Sequence, residues 1–227
     1  MTKFFDAVVF DCDGVLVDSE PLMMKVDQRV FADMGWNVEL ADLAEIFMGS
    51  SQAFFHAEVE RRVGRTLEPN WADLYSAWYE DVFARELREI PGISAVFDAL
   101  ELPFAVASNS SHHRIRSSLT TVGLLDRVDG RICSADDVPN GKPSPDVYLR
   151  AAELLGVDPQ RCMAIEDSEP GTQAARSAGM HVLAYRTSLT PKSWFSHPDL
   201  TVFGSMDAVP ELVQGLTNNG PPVSSGS

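Results

Sequence analysis

Short apolar runs recur along the chain, and most of them are separated by segments with helical spacing. The run from Phe4 to Asp11 is apolar and rich in β-branched residues, which predicts a strand buried on both faces. Strand–helix alternation predicts right-handed crossovers and a parallel sheet covered by helices on both faces. The further predicted strands are Phe104 to Ser108, Arg131 to Cys133, Met163 to Glu166 and His181 to Tyr185.

Two of the intervening segments have an apolar stripe with helical periodicity. One stripe stops at Gly123 and the other at Gly156, and a glycine just beyond the last apolar residue is a common helix end. Both segments are therefore predicted to be helices. Their apolar positions are Ile115, Leu119 and Val122, and then Val147, Ala151, Leu154 and Leu155.

The segment from about Ser19 to Arg88 breaks the alternation because it shows only helical periodicity. We interpret its stripes as the core of a small helical bundle rather than as an aromatic ligand cage. Open α/β sheets bind ligands at the carboxyl ends of their strands, so an insert after the first strand would stand over that edge as a lid. The stripes contain Leu22, Val26 and Val30; Phe55, Val59 and Val63; and Trp71, Leu74, Tyr75, Trp78 and Val82.

These patterns predict an α/β fold with a Rossmann-like, doubly wound parallel sheet and an inserted all-helical cap domain. We expect residues 1–16 and 90–216 to form the catalytic core and residues 17–89 to form the cap. The last residues are polar and without periodicity, and we expect residues 217–227 to be a disordered tail.

The composition narrows the classes of partner. The 227 residues include 33 acidic and 18 basic side chains, for a net charge of −15. Such a charge argues against nucleic acid and against an anionic membrane surface, because both require an excess of Lys and Arg. An acidic protein that binds an anionic substrate needs a local positive charge, such as a metal ion or a few placed cations.

The first residues and the cysteines indicate the cellular compartment expected for the protein. The first residues do not resemble a signal peptide, and no apolar stretch reaches the roughly 20 residues of a membrane-spanning helix. Cys12, Cys133 and Cys162 are too few and too scattered for a disulfide framework or a zinc site. We interpret them as small buried side chains in a reducing compartment, and we expect a cytoplasmic protein.

Acidic residues follow two of the predicted strands. Asp11 and Asp13 come after the first strand, and Glu166 and Asp167 come at the end of a later one. Either pair alone has a simpler explanation, since loops are rich in Asp and helices often begin with it. Together, carboxylates at adjacent strand ends would repel one another strongly unless a divalent cation lies among them. An all-oxygen set suits Mg²⁺.

Two further segments fit the same edge of the sheet. Ser108 and Asn109 end a predicted strand and precede a helix, where a hydroxyl and free amides can bind phosphate. The simpler alternative is an ordinary helix cap. Lys142 lies on a Gly/Pro-rich loop directly before another helix. Most lysines are solvated surface charges, but restricted neighbours on both sides of this one favour a fixed position.

The segments DCDGVLVDSE, ASNS, GKPSPD and IEDSEPG, in this order, resemble the four motifs of the haloacid dehalogenase-like superfamily. The match extends from Phe4 to about Gly179 in spacing as well as residue type. It is closest to the phosphatase and phosphomutase branch, whose members carry a small helical cap.

The resemblance implies a role for each motif residue. Asp11 would be the nucleophile that forms an aspartyl-phosphate, and Asp13 would protonate the leaving alcohol and then deprotonate the attacking water. Ser108 and Lys142 would hold the phosphoryl oxygens, with Asn109 nearby. The implied Mg²⁺ ligands are Asp11, the main-chain carbonyl of Asp13, Glu166 and Asp167.

The resemblance also places substrate selection in the cap. Residues 47–52 resemble the family's specificity loop, so Gly49, Ser50 and Gln52 are candidate specificity residues together with Met23. β-Phosphoglucomutase relatives carry an arginine near Gln52 and a histidine near Met23. This chain has neither, which favours water as the final acceptor of the phosphoryl group.

We therefore expect a Mg²⁺-dependent phosphatase that acts on a small phosphate monoester, a sugar or polyol phosphate. The alternatives are a phosphosugar mutase and a non-catalytic protein that binds a phosphometabolite or a metal. A phosphonate-cleaving enzyme would need a Schiff-base lysine from the cap, where Lys25 is the one lysine. The expected partner is a small phosphorylated metabolite rather than nucleic acid or membrane, and the expected state is a monomer or weak homo-oligomer.

Overall fold

A parallel sheet organises the larger of two compact units. The structure, a computed structural model, describes residues 4–47, 52–187 and 190–221. The five predicted strands are confirmed with ends shifted by a few residues, and a sixth strand of three residues was not predicted. The strands are β1 (Ala7–Phe10), β2 (Phe104–Ser108), β3 (Ile132–Ser134), β4 (Cys162–Glu166), β5 (His181–Tyr185) and β6 (Thr201–Phe203).

The strand order is β3-β2-β1-β4-β5-β6, with every pairing parallel. Phe10 near the end of β1 pairs with Val106 in β2 and with Ile165 in β4. The order reverses beside β1, and in doubly wound sheets this switch point is where ligands bind. The predicted fold class is confirmed, and the carboxyl ends of these three strands share one edge.

Helices connect the strands of this unit. The last helix, Val209–Asn219, extends into the segment predicted to be a tail, and residues 222–227 lie outside the described residues. The helices are α5 (Ile93–Ala99), α6 (His112–Thr121), α7 (Leu125–Val128), α8 (Asp146–Leu155), α9 (Glu169–Ser177) and α10 (Val209–Asn219).

Small side chains let the helices lie close to the sheet. Ala105 and Ala164 on the strands are fully buried in one cluster with Val147 and Ala151 of α8. This confirms most of the stripe predicted for α8. Leu154 does not belong to the buried face: it is 39% exposed because helical spacing turns it toward solvent.

The larger unit comprises Met1–Val17 and Arg88–Ser227, and the smaller one comprises Asp18–Leu87. These boundaries lie one or two residues from those expected for core and cap. Val17 and Glu89 form an antiparallel bridge, and the amide of Ile90 donates to the carbonyl of Leu16 at 2.9 Å. The two connections to the insert are therefore hydrogen-bonded neighbours on the larger unit.

Every secondary-structure element among the described residues of the smaller unit is a helix, as predicted. Its core includes Val26, Val30 and Val59, and Phe31 stacks on Trp36 with ring centroids 4.8 Å apart. Leu74 is an exception to the predicted stripe because it is 83% exposed. The helices are α1 (Glu20–Asp33), α2 (Leu40–Phe47), α3 (Gln52–Val63) and α4 (Ser76–Glu86), with a 3₁₀ turn at Trp71–Tyr75.

Cys12, Cys133 and Cys162 are free and buried, which confirms the burial predicted for them. Among the described helices, none has the length and apolar character needed to cross a bilayer.

Candidate active site

Three buried carboxylates meet at the edge where β1 and β4 end. Asp11, Glu166 and Asp167 each place one oxygen within 4.8 Å of the others. All three residues are less than a tenth exposed. The amide of Asp11 donates to the carbonyl of Ile165 at 2.9 Å, so the β1–β4 pairing itself brings the two acidic segments together.

One ammonium group lies among these carboxylates. Lys142 Nζ donates to Asp11 Oδ1 and, at 2.5 Å, to Glu166 Oε1. The Lys142 side chain is 5% exposed. Burial alone would lower the pKa of Lys142, but the carboxylates of Asp11 and Glu166 hold it above its ordinary value. Lys142 is therefore a fixed positive charge at neutral pH.

Negative charge exceeds positive charge around Asp11. The pKa of Asp11 is raised to about 7: burial is the largest cause, the ammonium of Lys142 lowers the pKa, and the charges of Glu166 and Asp13 raise it. One lysine thus does not compensate the whole carboxylate cluster. A divalent cation at this position would supply the missing charge.

The main chain of Lys142 is held by Asn109, which was predicted as a phosphate-binding residue. Lys142 N donates to Asn109 Oδ1 at 2.7 Å, and Asn109 Nδ2 donates to the Lys142 carbonyl at 3.1 Å. A Cβ at Gly141 would lie 2.7 Å from Asn109 Oδ1, so a glycine is needed for this approach. Both polar atoms of the Asn109 side chain are engaged in fixing the lysine loop.

Asp13 lies apart from the three-carboxylate cluster. Ser110 Oγ donates to Asp13 Oδ2 at 2.8 Å, and an Arg114 Nη2 atom lies 3.5 Å from Asp13 Oδ1. The Asp13 side chain is about a quarter exposed. A carboxyl group at the margin of the cluster can reach solvent or a bound molecule, as a proton donor or acceptor must.

Ser108 ends β2 at the same edge, as predicted. It is 2% exposed, and its Oγ accepts a hydrogen bond from Ser110 N at 3.1 Å. Ser111 caps α6 by accepting from Arg114 N. The segment from Ser108 to Ser111 therefore turns tightly from strand to helix, and the first helical amide, His112 N, donates to the Asp136 carboxylate at 2.9 Å.

Ser110 and Arg114 were not predicted as site residues from the sequence. Ser110 belongs to the ASNS motif, but its contact with Asp13 depends on a turn that the sequence pattern does not specify. Arg114 lies on the first turn of α6, where an arginine usually faces solvent. The one signal in the sequence for either residue was its position within or close to the ASNS motif.

Gly14 permits the close approach of the two acidic segments, and its replacement provides a stability test. Its φ is +83°, and a Cβ there would lie 1.9 Å from Asp167 Oδ2. Gly123 has a φ of +76° but nothing within 4 Å of its virtual Cβ. Gly123→Ala thus measures backbone strain alone, about 1 kcal/mol. We expect Gly14→Ala to lower the free energy of unfolding by a further ~1–3 kcal/mol, from steric overlap.

Urea denaturation of the two glycine variants and the wild type measures both losses in the free energy of unfolding. Equal losses in Gly14→Ala and Gly123→Ala would show that Asp167 moves aside freely, contrary to the packing described.

The proposed specificity residues of the insert are placed only in part. Gly49 and Ser50 lie outside the described residues; Gln52 begins α3, but its side chain is outside the described part of the structure. Met23 lies on α1 and is half-buried. Lys25 is half-exposed, and its Nζ donates to Glu86 at 2.7 Å.

The sequence is similar to known proteins over most of its length. Residues 5–179 match the family described as haloacid dehalogenase-like hydrolase. The 6-phosphogluconate phosphatase of Escherichia coli (strain K12) is 29% identical over 208 residues, which cover 91% of this chain and 94% of that protein. Hexitol phosphatase B of the same strain is 32% identical over 193 residues, covering 77% of this chain and 80% of that protein.

A solved structure also resembles this one. The crystal structure of a HAD family hydrolase from Deinococcus radiodurans R1, with bound phosphate and sodium, superposes with a TM-score of 0.73. It is 30% identical, and the match covers 93% of this chain and 97% of that chain.

Proposed function

The chain belongs to the haloacid dehalogenase-like hydrolases, and from this premise we propose that it hydrolyses a small phosphate monoester through an aspartyl-phosphate on Asp11. Family membership confirms the resemblance inferred from the four motifs. The observation that carries the proposal is the contact between the buried carboxylate of Asp11 and the ammonium of Lys142 at the switch point of the sheet.

The reaction consists of two displacements at phosphorus. An Asp11 oxygen forms a bond to phosphorus while the ester P–O bond breaks, and the leaving alkoxide takes a proton from Asp13. Water then attacks the phosphorus, Asp13 accepts a proton from it, and the bond to Asp11 breaks to release phosphate. Lys142 stabilises the negative charge that develops on the phosphoryl oxygens.

The donor set fits a magnesium ion. The cluster offers carboxylate oxygens, which Mg²⁺ prefers, and carries more negative charge than Lys142 offsets. We propose that Asp11, Asp167 and the main-chain carbonyl of Asp13 hold the ion. Glu166, which the resemblance implied as a further ligand, lies beside them, but both of its carboxylate oxygens already accept hydrogen bonds from the chain. The ion would neutralise charge between the nucleophile and the phosphate.

We propose a sugar or polyol phosphate as the substrate. Two relatives that match most of this chain are named for 6-phosphogluconate and hexitol phosphates. The test is a panel of phosphorylated metabolites that includes sugar, polyol and sugar-acid phosphates, assayed for inorganic phosphate with Mg²⁺ present. Release from one class well above the others supports the proposal.

The same panel separates the alternatives. Isomerisation of a sugar phosphate without phosphate release would indicate a mutase, and binding without turnover would indicate a non-catalytic sensor. A phosphonate-cleaving enzyme would release phosphate from a phosphonate after borohydride-sensitive Schiff-base formation on Lys25. The Lys25 side chain is half-exposed and forms an ion pair with Glu86.

Replacement of Asp13 tests its role as acid and base. Asp13→Asn should slow steady-state hydrolysis by about 10²- to 10⁴-fold, because the amide neither donates nor accepts the required proton. With p-nitrophenyl phosphate, whose leaving group needs little protonation, we expect a burst of up to one equivalent of nitrophenolate. With an alkyl phosphate we expect no burst.

Stopped-flow absorbance measures the burst, and Asp98→Asn is the matched control, because Asp98 is exposed and paired with Arg127. Wild-type rates on alkyl phosphates in Asp13→Asn would remove Asp13 from the mechanism.

A further inference from the structure

Glu166 is the most completely hydrogen-bonded side chain of the site. It is 0% exposed. Its Oε2 accepts from Asp167 N, Ser168 N and Ser168 Oγ at 3.0–3.2 Å. Its Oε1 accepts from Lys142 Nζ and from the phenol of Tyr148 at 2.5 and 2.7 Å. A carboxylate offers about four lone-pair sites, so five donors engage both oxygens of Glu166 completely.

Tyr148 reaches this carboxylate from the buried face of α8. It is fully buried, and its position next to Val147 and Ala151 places it on the apolar stripe of the helix. The Lys142 ammonium lies 5.0 Å from the centroid of its ring. The phenol therefore contributes both a hydrogen bond to the anion and a π face to the cation.

The position of the Lys142 ammonium depends on how strongly the carboxylates of Asp11 and Glu166 each attract it. Its ammonium lies between Asp11 and Glu166 and forms an ion pair with each carboxylate, so a stronger attraction to one weakens its contact with the other. A phenol donor on Glu166 Oε1 reduces the negative charge available to Lys142 on that oxygen and fixes the orientation of the carboxylate. Without this donor, Glu166 Oε1 would carry more negative charge and would attract the ammonium away from Asp11.

The packing around Glu166 leaves no other group to replace the phenol. A Cβ at Gly171 would lie 1.8 Å from Glu166 Oε1, so the first turn of α9 already touches the carboxylate. A water molecule that substituted for the hydroxyl would have to enter a site in which Glu166 and Tyr148 are both fully buried.

We propose that Tyr148 is a positioning residue that, through Glu166, holds the ammonium of Lys142 against the nucleophile and the phosphoryl group. This inference rests on the proposed phosphatase function. It assigns to Tyr148 a part in transition-state stabilisation rather than in substrate binding, because Lys142 acts on charge that develops during phosphoryl transfer.

The test is Tyr148→Phe, which removes the hydroxyl and retains the ring. We expect kcat for p-nitrophenyl phosphate to fall about tenfold, as for the loss of one hydrogen bond to a charged group, with KM changed less than about twofold. Tyr75→Phe is the matched control, because its phenol donates to the Asp33 carboxylate at 2.8 Å in the other unit. That control should keep the wild-type kcat.

Thermal unfolding and a titration of active sites by the burst of nitrophenolate accompany the kinetics. A kcat within about twofold of the wild type would overturn the proposal, as would a fall explained by fewer active molecules or by loss of cooperative unfolding. If the wild type itself fails to release phosphate from any ester, the proposed function fails and this inference falls with it. If the wild type is active and Tyr148→Phe equals it, only the inference fails.

Discussion

Replacing Asp11 with asparagine should reduce phosphate-ester hydrolysis by about four orders of magnitude or more, because the first displacement would lose its proposed nucleophile. An amide oxygen is a far weaker nucleophile than a carboxylate, yet it still accepts a hydrogen bond from Lys142. The replacement nearly conserves volume at a residue that is 7% exposed. The fold should therefore survive, and removal of one charge from an overcharged cluster should not destabilise it.

Release of nitrophenolate from p-nitrophenyl phosphate measures the rate, and far-UV circular dichroism with thermal unfolding confirms the fold. Rapid quench followed by borohydride reduction should detect phosphoaspartate at position 11 in the wild type. Asp129→Asn, which alters an exposed ion pair with Arg116, is the control and should retain full activity. Turnover by Asp11→Asn near the wild-type rate would refute the nucleophile assignment.

Removal of divalent cations should lower the rate of hydrolysis by about 10³-fold or more relative to the Mg²⁺-supplemented enzyme. Asp11 and the phosphate are both anions, and without a cation their approach is opposed by the uncompensated charge of the cluster. Activity after EDTA treatment should return with Mg²⁺ but not with Ca²⁺. Ca²⁺ takes more ligands at longer distances and would not draw the groups into octahedral geometry.

Binding of the ion can be measured without turnover. Mg²⁺ should raise the melting temperature of the wild type, because it binds the folded cluster and not the unfolded chain. Asp167→Asn should lose most of this gain while its metal-free form is no less stable than the wild type. Glu169→Gln is the matched control, since Glu169 is exposed on the first turn of α9. Full activity after exhaustive chelation would contradict the proposed metal requirement.

Much of the fold follows from pattern because a parallel sheet is buried on both faces. Strands such as β2 and β4 consist almost entirely of buried residues and give unbroken apolar runs. Strand β6 was missed because it has three residues, of which only Phe203 is buried. An apolar run this short does not stand out from the polar residues on either side of it.

The acidic edge of the site was predicted for a related reason. Asp11 and Glu166 are ordered by strands whose register is fixed by burial, so their proximity follows from topology. Side chains presented by loops and helix faces were not predictable in this way. The contact of Asn109 with Lys142 depends on the approach at Gly141, and the phenol of Tyr148 could be read only as one more apolar-stripe position.

The adjacent connections of the helical insert have an evolutionary consequence. Because Leu16 and Ile90 are hydrogen-bonded to each other, the two points at which the insert leaves and rejoins the larger unit stay adjacent, whatever length of chain joins them. Loop-closure entropy grows only slowly with length, so exchange of one insert for another by recombination would cost the folding of the larger unit little. An insert can therefore be lengthened or replaced at this junction without rebuilding the sheet.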